Sequence, residues 1–213
     1  MYKLINQHID AVLKQINQEN DVQRYVWLME KLPDVDVTKD PAFQHTYRQH
    51  WQLNPARLSP QFIETYFAHL QSLKGRNDVD IEAVARYLFA LPIRDGIHSL
   101  QFSFATKLVH MLKPSQPIYD SMVATFFFYF PGTPKEPMNV KLTRLISFYR
   151  FLFDEYDRVL RFSLLAPSIA RFRAHCQIGP IYSDQKVIDT LIWKFVYYLK
   201  QSGGITKRAV VYS

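Results

Sequence analysis

The chain has 213 residues, 48% of them hydrophobic and 21% charged, so it can bury one substantial core or two small lobes. Its one cysteine, Cys176, excludes an intrachain disulfide framework and a four-cysteine zinc or iron–sulfur site. The start lacks the apolar core of a signal peptide, and the run MVATFFFYF is far shorter than the roughly 20 residues that span a bilayer. We therefore expect a soluble protein of the cytoplasm, nucleoid-associated if bacterial, with no membrane partner.

Charge is divided unevenly along the chain. Residues 1–100 contain 11 Lys and Arg against 12 Asp and Glu, whereas residues 101–213 contain 15 against 7, so the net charge of +7 comes from the second half. Such an asymmetry favours a polyanionic partner, and nucleic acid in particular. The alternative is a surface that is merely basic.

Helical spacing of apolar residues recurs along the chain in order: in YKLINQHIDAVLKQI, in DVQRYVWLMEKL, and after Ser59, whose Ser-Pro pair is typical of a helix start. Residues 141–162 are predicted to form a further long helix. The last helix is predicted to begin at Ser183 and Asp184. The predicted inner face of the helix over 141–162 is Leu142, Leu145, Ile146, Tyr149, Leu152, Tyr156 and Leu160. The predicted inner face of the last helix is Val187, Ile188, Leu191, Ile192, Phe195, Val196 and Leu199. The tail AVVYS alone could form a strand, so we predict an all-α protein, folded as one unit or as two helical lobes.

Most familiar catalytic signatures are missing. The seven histidines are scattered without the spacing of metal ligands, and six glycines in all argue against a phosphate-binding loop. The acidic run DEYD (Asp154 to Asp157) is interpreted as a solvated helix face rather than a metal site. We expect no metal and no cofactor.

One stretch, QFSFATKLVHMLKPSQPIYDSMVATFF, places charged residues within very apolar sequence. On a helix, Ser103, Thr106, Lys107 and His110 fall at i, i+3, i+4 and i+7, forming a narrow polar stripe within apolar surface. Such a stripe lines a cleft or an interface. A lysine with apolar neighbours loses solvation, so more of it is the neutral, nucleophilic amine near pH 7. The alternative is a lysine that extends its amine to the solvent.

A carboxylate follows this helix at a short distance. The segment KPSQP ends the helix, and Asp120 then stands where the next helix, SMVATFFFYF, begins. Backbone N–H groups and the helix dipole stabilise a carboxylate at that position. Asp120 is therefore either a plain N-cap or the charged partner of Lys107.

Residues 91–123, LPIRDGIHSLQFSFATKLVHMLKPSQPIYDSMV, resemble the core of the helix-hairpin-helix DNA glycosylases, most closely the 8-oxoguanine DNA glycosylase-like branch. In that family a glycine-containing hairpin ends in a catalytic lysine, here Lys107, and a Pro-Val-Asp segment supplies the catalytic aspartate, here Asp120. The segment SDQKVIDTLIWKF is similar to a C-terminal helix of bacterial proteins grouped with this branch. The sequence departs from the family where Ser103 and Ala105 replace the hairpin glycines and where Tyr119 is an extra residue.

The resemblance implies a helix-hairpin-helix glycosylase-like fold over residues 1–213, with the hairpin and catalytic core at about 90–130 and helical lobes around a cleft. It implies excision of an abnormal base, such as an oxidised purine, from double-stranded DNA through a lysine Schiff base, which permits strand cleavage by a lyase step. His110 is a candidate for assisting proton transfer, the alternative being a hydrogen-bonded spectator. Tyr119 is a second candidate assisting residue, which either stacks on a base or packs in the core. The candidate DNA-contacting residues are Ser103, Thr106, Ser121, Lys186, and the basic residues Arg144, Arg150 and Lys194.

A non-catalytic helical module that binds DNA or a protein partner on the same scaffold is the alternative function. The altered hairpin favours this alternative, and the retained Lys107 and Asp120 favour the enzyme. A purely structural helical module would leave the charge asymmetry unexplained. The base that is recognised depends on side chains gathered from several helices, so the sequence does not name it.

Overall fold

The computed structural model describes residues 1–56, 58–133 and 135–203. These residues form eleven α-helices, a π-helical turn at Gln18–Gln23 and a 3-10 turn at Asn54–Ala56, with no β-strand among them. The helices are α1 (Tyr2–Gln7), α2 (Ile9–Leu13), α3 (Arg24–Lys31), α4 (Pro41–His50), α5 (Pro60–Leu73), α6 (Ile81–Ala90), α7 (Phe102–Leu112), α8 (Ser121–Phe126), α9 (Met138–Arg161), α10 (Ala166–Cys176) and α11 (Asp184–Gln201). The all-α prediction is confirmed. The predicted strand at AVVYS lies outside the described residues.

Helix α11 is the centre of the molecule. It packs most extensively against α8 and also contacts α1, α2, α9 and α10. Its predicted inner face is confirmed, because Val187, Leu191 and Phe195 are fully buried and Leu199 packs against the core while partly exposed. The predicted face of α9 is likewise buried, with Leu160 at its edge only partly so. None of the helices described here is both long enough and apolar enough to cross a bilayer.

Helix starts follow the local sequence as expected. Ser59 Oγ accepts a hydrogen bond from the Phe62 N–H at 3.1 Å, and Ser183 Oγ accepts one from the Lys186 N–H at 3.1 Å. Each hydroxyl satisfies one of the N–H groups that a first helical turn leaves without a partner. The predicted N-caps at Ser59 and Ser183 are therefore confirmed.

Helix α8 is shorter than predicted because it ends in a left-handed residue. The Phe128 backbone has a φ of 54°, and its N–H donates to the Thr125 carbonyl while the Tyr129 N–H donates to the Ala124 carbonyl. This pair of bonds is the Schellman arrangement, which satisfies the last helical carbonyls and turns the chain away. The helix therefore closes at Phe126 instead of continuing to residue 130.

The hairpin predicted from the family resemblance is not found at its expected position. Ser103 and Ala105, which align with the hairpin glycines, lie within α7. The connection from α6 to α7 is instead the loop 91–101, in which Asp95 and Gly96 both have positive φ, 44° and 70°. That pattern is typical of a type I′ turn, and the Ile97 N–H closes it by donating to the Arg94 carbonyl at 2.7 Å. The turn thus precedes α7 and lies several residues from Lys107.

Candidate functional site

A cavity of about 110 Å³ opens where the C-terminal end of α4, the middle of α7, the start of α8 and one face of α11 meet. The π-helical turn at Gln18–Gln23 closes one side of it. Its walls contain three lysines and three aspartates, drawn from distant parts of the sequence. They are Asp21, Lys107, Asp120, Lys186, Asp189 and Lys194.

Lys107 reaches this cavity from α7. Its Nζ donates a hydrogen bond to the backbone carbonyl of Trp51 at 3.1 Å and lies 5.2 Å from the centroid of the Phe104 ring. Trp51 is the residue that ends α4, so its carbonyl is one of those that a helix leaves without an internal partner. Lys107 satisfies that carbonyl, and this contact holds the amine in place.

The surroundings of Lys107 shift its amine toward the neutral form. Burial lowers the pKa of the Lys107 amine, and the nearby Asp120 carboxylate opposes that shift without cancelling it. No Asp or Glu oxygen in the described part of the chain lies within 4.0 Å of Lys107 Nζ. The amine is therefore desolvated and lacks a direct carboxylate partner, which is the condition under which a lysine becomes a nucleophile.

Asp120 is the N-cap of α8 and lines the same cavity. Its Oδ1 accepts hydrogen bonds from the backbone N–H groups of Met122 at 2.8 Å and Val123 at 2.9 Å. Within residues 1–56, 58–133 and 135–203, nothing donates a hydrogen bond to the other oxygen, Oδ2. The predicted cap is confirmed, and capping occupies only one of the two carboxylate oxygens.

The other two lysines of the cavity are ion-paired. Lys186 Nζ lies 3.0 Å from Asp189 Oδ2, with both side chains more than nine-tenths buried. Lys194 Nζ lies 2.5 Å from Asp21 Oδ2. Lys186 and Lys194 are therefore each paired with a carboxylate, whereas Lys107 is not paired with one among the described residues.

Two buried polar atoms at the cavity have no hydrogen-bond partner within the described residues. They are Nε1 of Trp51, a donor, and Oδ1 of Asp189, an acceptor. Buried polar groups are normally paired, so unpaired ones at a cavity indicate a guest molecule or water. A guest that both accepts and donates hydrogen bonds would satisfy the two atoms together.

His110, a candidate assisting residue, does not line the cavity. Its Nδ1 lies 2.7 Å from the Gln116 carbonyl, so Nδ1 carries the proton, and its Nε2 accepts from the Tyr25 hydroxyl at 2.9 Å. The ring is fully buried, and burial lowers its pKa to about 3, with the Lys186 charge adding to the effect. Because both nitrogens are engaged, His110 is a structural residue and not a proton-transfer group.

Tyr119, the second candidate assistant, packs in an aromatic cluster away from the cavity. Its ring centroid lies 5.4 Å from Phe102 and 6.0 Å from Phe148, in edge-on arrangements. The residue is 9% exposed, and burial raises the pKa of its hydroxyl to about 12. The geometry assigns Tyr119 to core packing, not to stacking on a base.

The seven residues expected to contact DNA divide into three groups: buried, exposed and ion-paired. Thr106 and Lys186 are buried, so they have no surface to offer to a phosphate, and that expectation does not fit their positions. Ser121 and Arg150 are exposed, and Ser103 is partly exposed beside the groove formed by residues 99–103 and 131–133. Of the remaining basic residues, Lys194 pairs with Asp21 and Arg144 pairs with Glu136 at 2.9 Å.

Several cavity residues were not expected from the sequence. Trp51, His50 and Asp21 come from the first quarter of the chain, and Asp189 is an acidic residue on the buried face of α11. His50 Nδ1 donates to the Asn20 carbonyl at 3.0 Å, and burial lowers its pKa to about 3. Asp189 carried a detectable signal, since a charged residue within an apolar helical face is rarely placed there without a partner.

Comparison of the chain with protein-family models, with curated proteins and with solved structures finds no match in any of the three.

Proposed function

We propose that this protein is a DNA glycosylase with lyase activity, which excises an abnormal base from double-stranded DNA through a Schiff base on Lys107. The observation that carries the proposal is the environment of the Lys107 amine. It is desolvated, it donates to one backbone carbonyl, it has no ion pair among the described residues, and it shares a cavity with Asp120. The resemblance to the 8-oxoguanine DNA glycosylase-like branch supports the same assignment and suggests an oxidised purine as the base.

The reaction begins with a base turned out of the duplex, which costs a few kcal/mol and favours damaged or mispaired bases. The Lys107 amine attacks the anomeric carbon with its lone pair while the bond from that carbon to the base breaks. The base leaves with the bonding electrons and takes up the proton that the nitrogen loses. As the sugar ring opens, its oxygen takes up a proton from solvent, and a protonated Schiff base joins Nζ to the sugar.

Asp120 has an electrostatic part in this reaction. Positive charge develops on the sugar as the base departs, and a carboxylate positioned beforehand stabilises it without reorganisation. The backbone N–H groups of Met122 and Val123 hold Oδ1, and Oδ2 remains for the substrate. From the Schiff base, solvent takes a proton from the adjacent sugar carbon. A carbon–carbon double bond forms as the bond to the 3′ phosphate breaks, and the phosphate leaves with the bonding electrons, which cleaves the strand.

Two unpaired polar atoms, a donor and an acceptor, belong to residues that line the cavity. Trp51 Nε1 would donate to a carbonyl or ring nitrogen, and Asp189 Oδ1 would accept from an N–H group. Nucleobases carry both kinds of group on one edge. This complementarity supports a heterocyclic base as the guest.

Borohydride trapping tests the proposal, because hydride reduces the Schiff base to a stable amine. The protein is incubated with a panel of duplexes, each carrying one lesion or one abasic site, and the covalent adduct is resolved by denaturing electrophoresis. We expect an adduct with at least one duplex and none with Lys107→Gln, which keeps length and polarity but removes the amine.

Lys113→Gln is the matched control. Lys113 ends the same helix, and its Nζ contacts the Asn77 carbonyl outside the cavity, so this variant should form the adduct normally. An adduct that persists in Lys107→Gln would assign the nucleophile to another residue. DNA binding without an adduct on any duplex would instead support the non-catalytic DNA-binding module.

A further inference from the structure

Lys186 occupies a position that neither the charge pattern nor the family resemblance suggested. It lies on the buried face of α11, with 6% of its surface exposed, and its Nζ is held at 3.0 Å by Asp189 Oδ2. The same Nζ lies 5.1 Å from the ring centroid of Trp51 and 5.5 Å from that of Tyr25. Aromatic faces attract cations, so three contacts fix this ammonium group in one place.

Trp51 brings Lys186 and Lys107 together. Its backbone carbonyl accepts the hydrogen bond from Lys107 Nζ, and its ring lies against Lys186 Nζ. Both amines line the same cavity, but Asp189 pairs with Lys186 alone. The arrangement is therefore asymmetric: Lys186 is ion-paired, whereas Lys107 has no carboxylate within 4.0 Å among the described residues.

We propose that Lys186 is a positioning residue for Lys107: its ammonium group, held by Asp189 beside the same tryptophan, increases the neutral, nucleophilic fraction of the Lys107 amine. A second cation makes protonation of a nearby amine more costly, and a dry cavity strengthens that repulsion. The proposed importance of this effect for DNA chemistry rests on the proposed function. The effect on the amine itself does not.

The carboxylates near Lys107 raise the pKa of its amine, whereas Lys186 lowers it. Burial is the largest cause that lowers the pKa of Lys107, and Asp120 opposes it. Lys186 then lowers that pKa by more than its partner Asp189 raises it. The ion pair therefore acts on Lys107 as a net positive charge, because the ammonium has the larger effect of its two members.

The remaining titratable groups around the two lysines are mostly neutral near pH 7. Burial lowers the pKa of His50, on α4, and of His110, on α7, to about 3. Burial also raises the pKa of Tyr25 on α3 and of Tyr156 on α9, so both hydroxyls keep their protons. Asp21 and Lys194 form a separate ion pair at the cavity, with Lys194 Nζ 5.0 Å from the Trp193 ring.

The first experiment measures the Lys107 amine without DNA. A small aldehyde with cyanoborohydride labels neutral amines: the amine attacks the carbonyl, water leaves to give an imine, and hydride from cyanoborohydride reduces the imine to a secondary amine. Mass spectrometry of the digested protein then gives the labelling rate of Lys107 as a function of pH. In Lys186→Met we expect the midpoint of that profile to rise by about one pH unit, as loss of a close like charge should produce.

Three further variants make the result specific. Lys186→Arg keeps the positive charge, so the Lys107 midpoint should stay near that of the parent protein. Lys194→Met makes the same substitution at another lysine of the cavity and should leave the Lys107 midpoint unchanged. The double variant Lys186→Met with Asp189→Asn removes the whole ion pair, avoids an unpaired buried carboxylate, and should still raise the midpoint.

The outcomes separate this proposal from the proposed function. A midpoint unchanged in folded Lys186→Met and in the double variant would overturn the positioning role and leave Lys186 as a packing residue. A raised midpoint without any borohydride-trapped DNA adduct would support the positioning role and reject the glycosylase. If both hold, the pH profile of trapping on an abasic-site duplex, which needs no base recognition, should shift in the same direction and by a similar amount.

Discussion

Thr106 on α7 and Tyr119 before α8 are joined through the Thr106 hydroxyl. Thr106 Oγ1 accepts a hydrogen bond from the Tyr119 backbone N–H at 3.1 Å and donates to the Ser103 carbonyl at 3.0 Å. These two residues immediately precede Lys107 and Asp120 in the chain. The bond therefore ties the middle of α7, which carries Lys107, to the segment that leads into α8, which Asp120 caps.

Replacing this hydroxyl tests that connection. Thr106→Val keeps the branched shape but leaves the Tyr119 N–H without its acceptor, which should lower the free energy of unfolding by about 1–3 kcal/mol. Base excision at a temperature where the variant is folded should fall as well, because the proposed nucleophile Lys107 and the carboxylate of Asp120 lose the bond that joins their segments. Chemical denaturation and single-turnover excision measure the two effects. Thr106→Ser restores the hydroxyl and should lie closer to the parent protein in both.

Asp120→Asn separates capping from chemistry. Asparagine caps helices nearly as well as aspartate, so the melting temperature should change little. The variant lacks the negative charge, and excision should fall by roughly 100-fold or more, the loss seen when one preorganised stabiliser is removed. The matched control is Asp40→Asn, since Asp40 caps α4 by accepting from the Phe43 N–H at 2.9 Å and does not line the cavity. Equal excision by both variants would reduce Asp120 to a cap.

The lowered pKa values of His50 and His110 predict a loss of stability in acid. Burial lowers the pKa of His50 and His110 from 6.5 to about 3 in the folded protein, so the unfolded chain binds more protons between those values. The free energy of unfolding should therefore fall as pH decreases from about 6.5 to about 3. His110→Gln should flatten this decline, at a cost in stability at neutral pH, whereas His45→Gln on the exposed side of α4 should keep it. A parallel decline in all three proteins would assign the acid sensitivity to other groups.

The uneven charge predicts how DNA binding responds to salt. Residues 101–213 carry a net charge of +8, and each phosphate neutralised on duplex DNA contributes about −0.9 to the slope of log affinity against log salt. Binding to undamaged duplex should therefore weaken steeply between low and physiological salt. Fluorescence anisotropy measures the affinity. Lys107→Gln and Asp120→Asn should still bind, because phosphate contacts elsewhere carry most of the affinity. Affinity that is insensitive to salt would remove nucleic acid as the partner.

Local features of this protein could be predicted from sequence because neighbouring residues determine them. The buried faces of α9 and α11 follow from apolar residues at helical spacing, and the caps at Ser59, Ser183 and Asp120 follow from side chains that reach the backbone two or three residues later. The placement of Asp120 at a helix start and of Lys107 on a largely apolar helix belongs to this group. None of these requires knowledge of what packs against what.

The tertiary structure decided which side chains share the cavity. Trp51 reaches Lys107 and Lys186 because α4 ends beside both α7 and α11, an arrangement that no short-range pattern encodes. The sequence predicted that Thr106 and Lys186 contact DNA, yet both are buried. Thr106 accepts a hydrogen bond from a neighbouring segment, and Lys186 pairs with a carboxylate on the next turn of its helix. Hydrophobic periodicity identifies the face that a helix buries, but the partner of that face is set by packing among distant segments. A polar group on such a face is stable only where that packing supplies its hydrogen bond or countercharge.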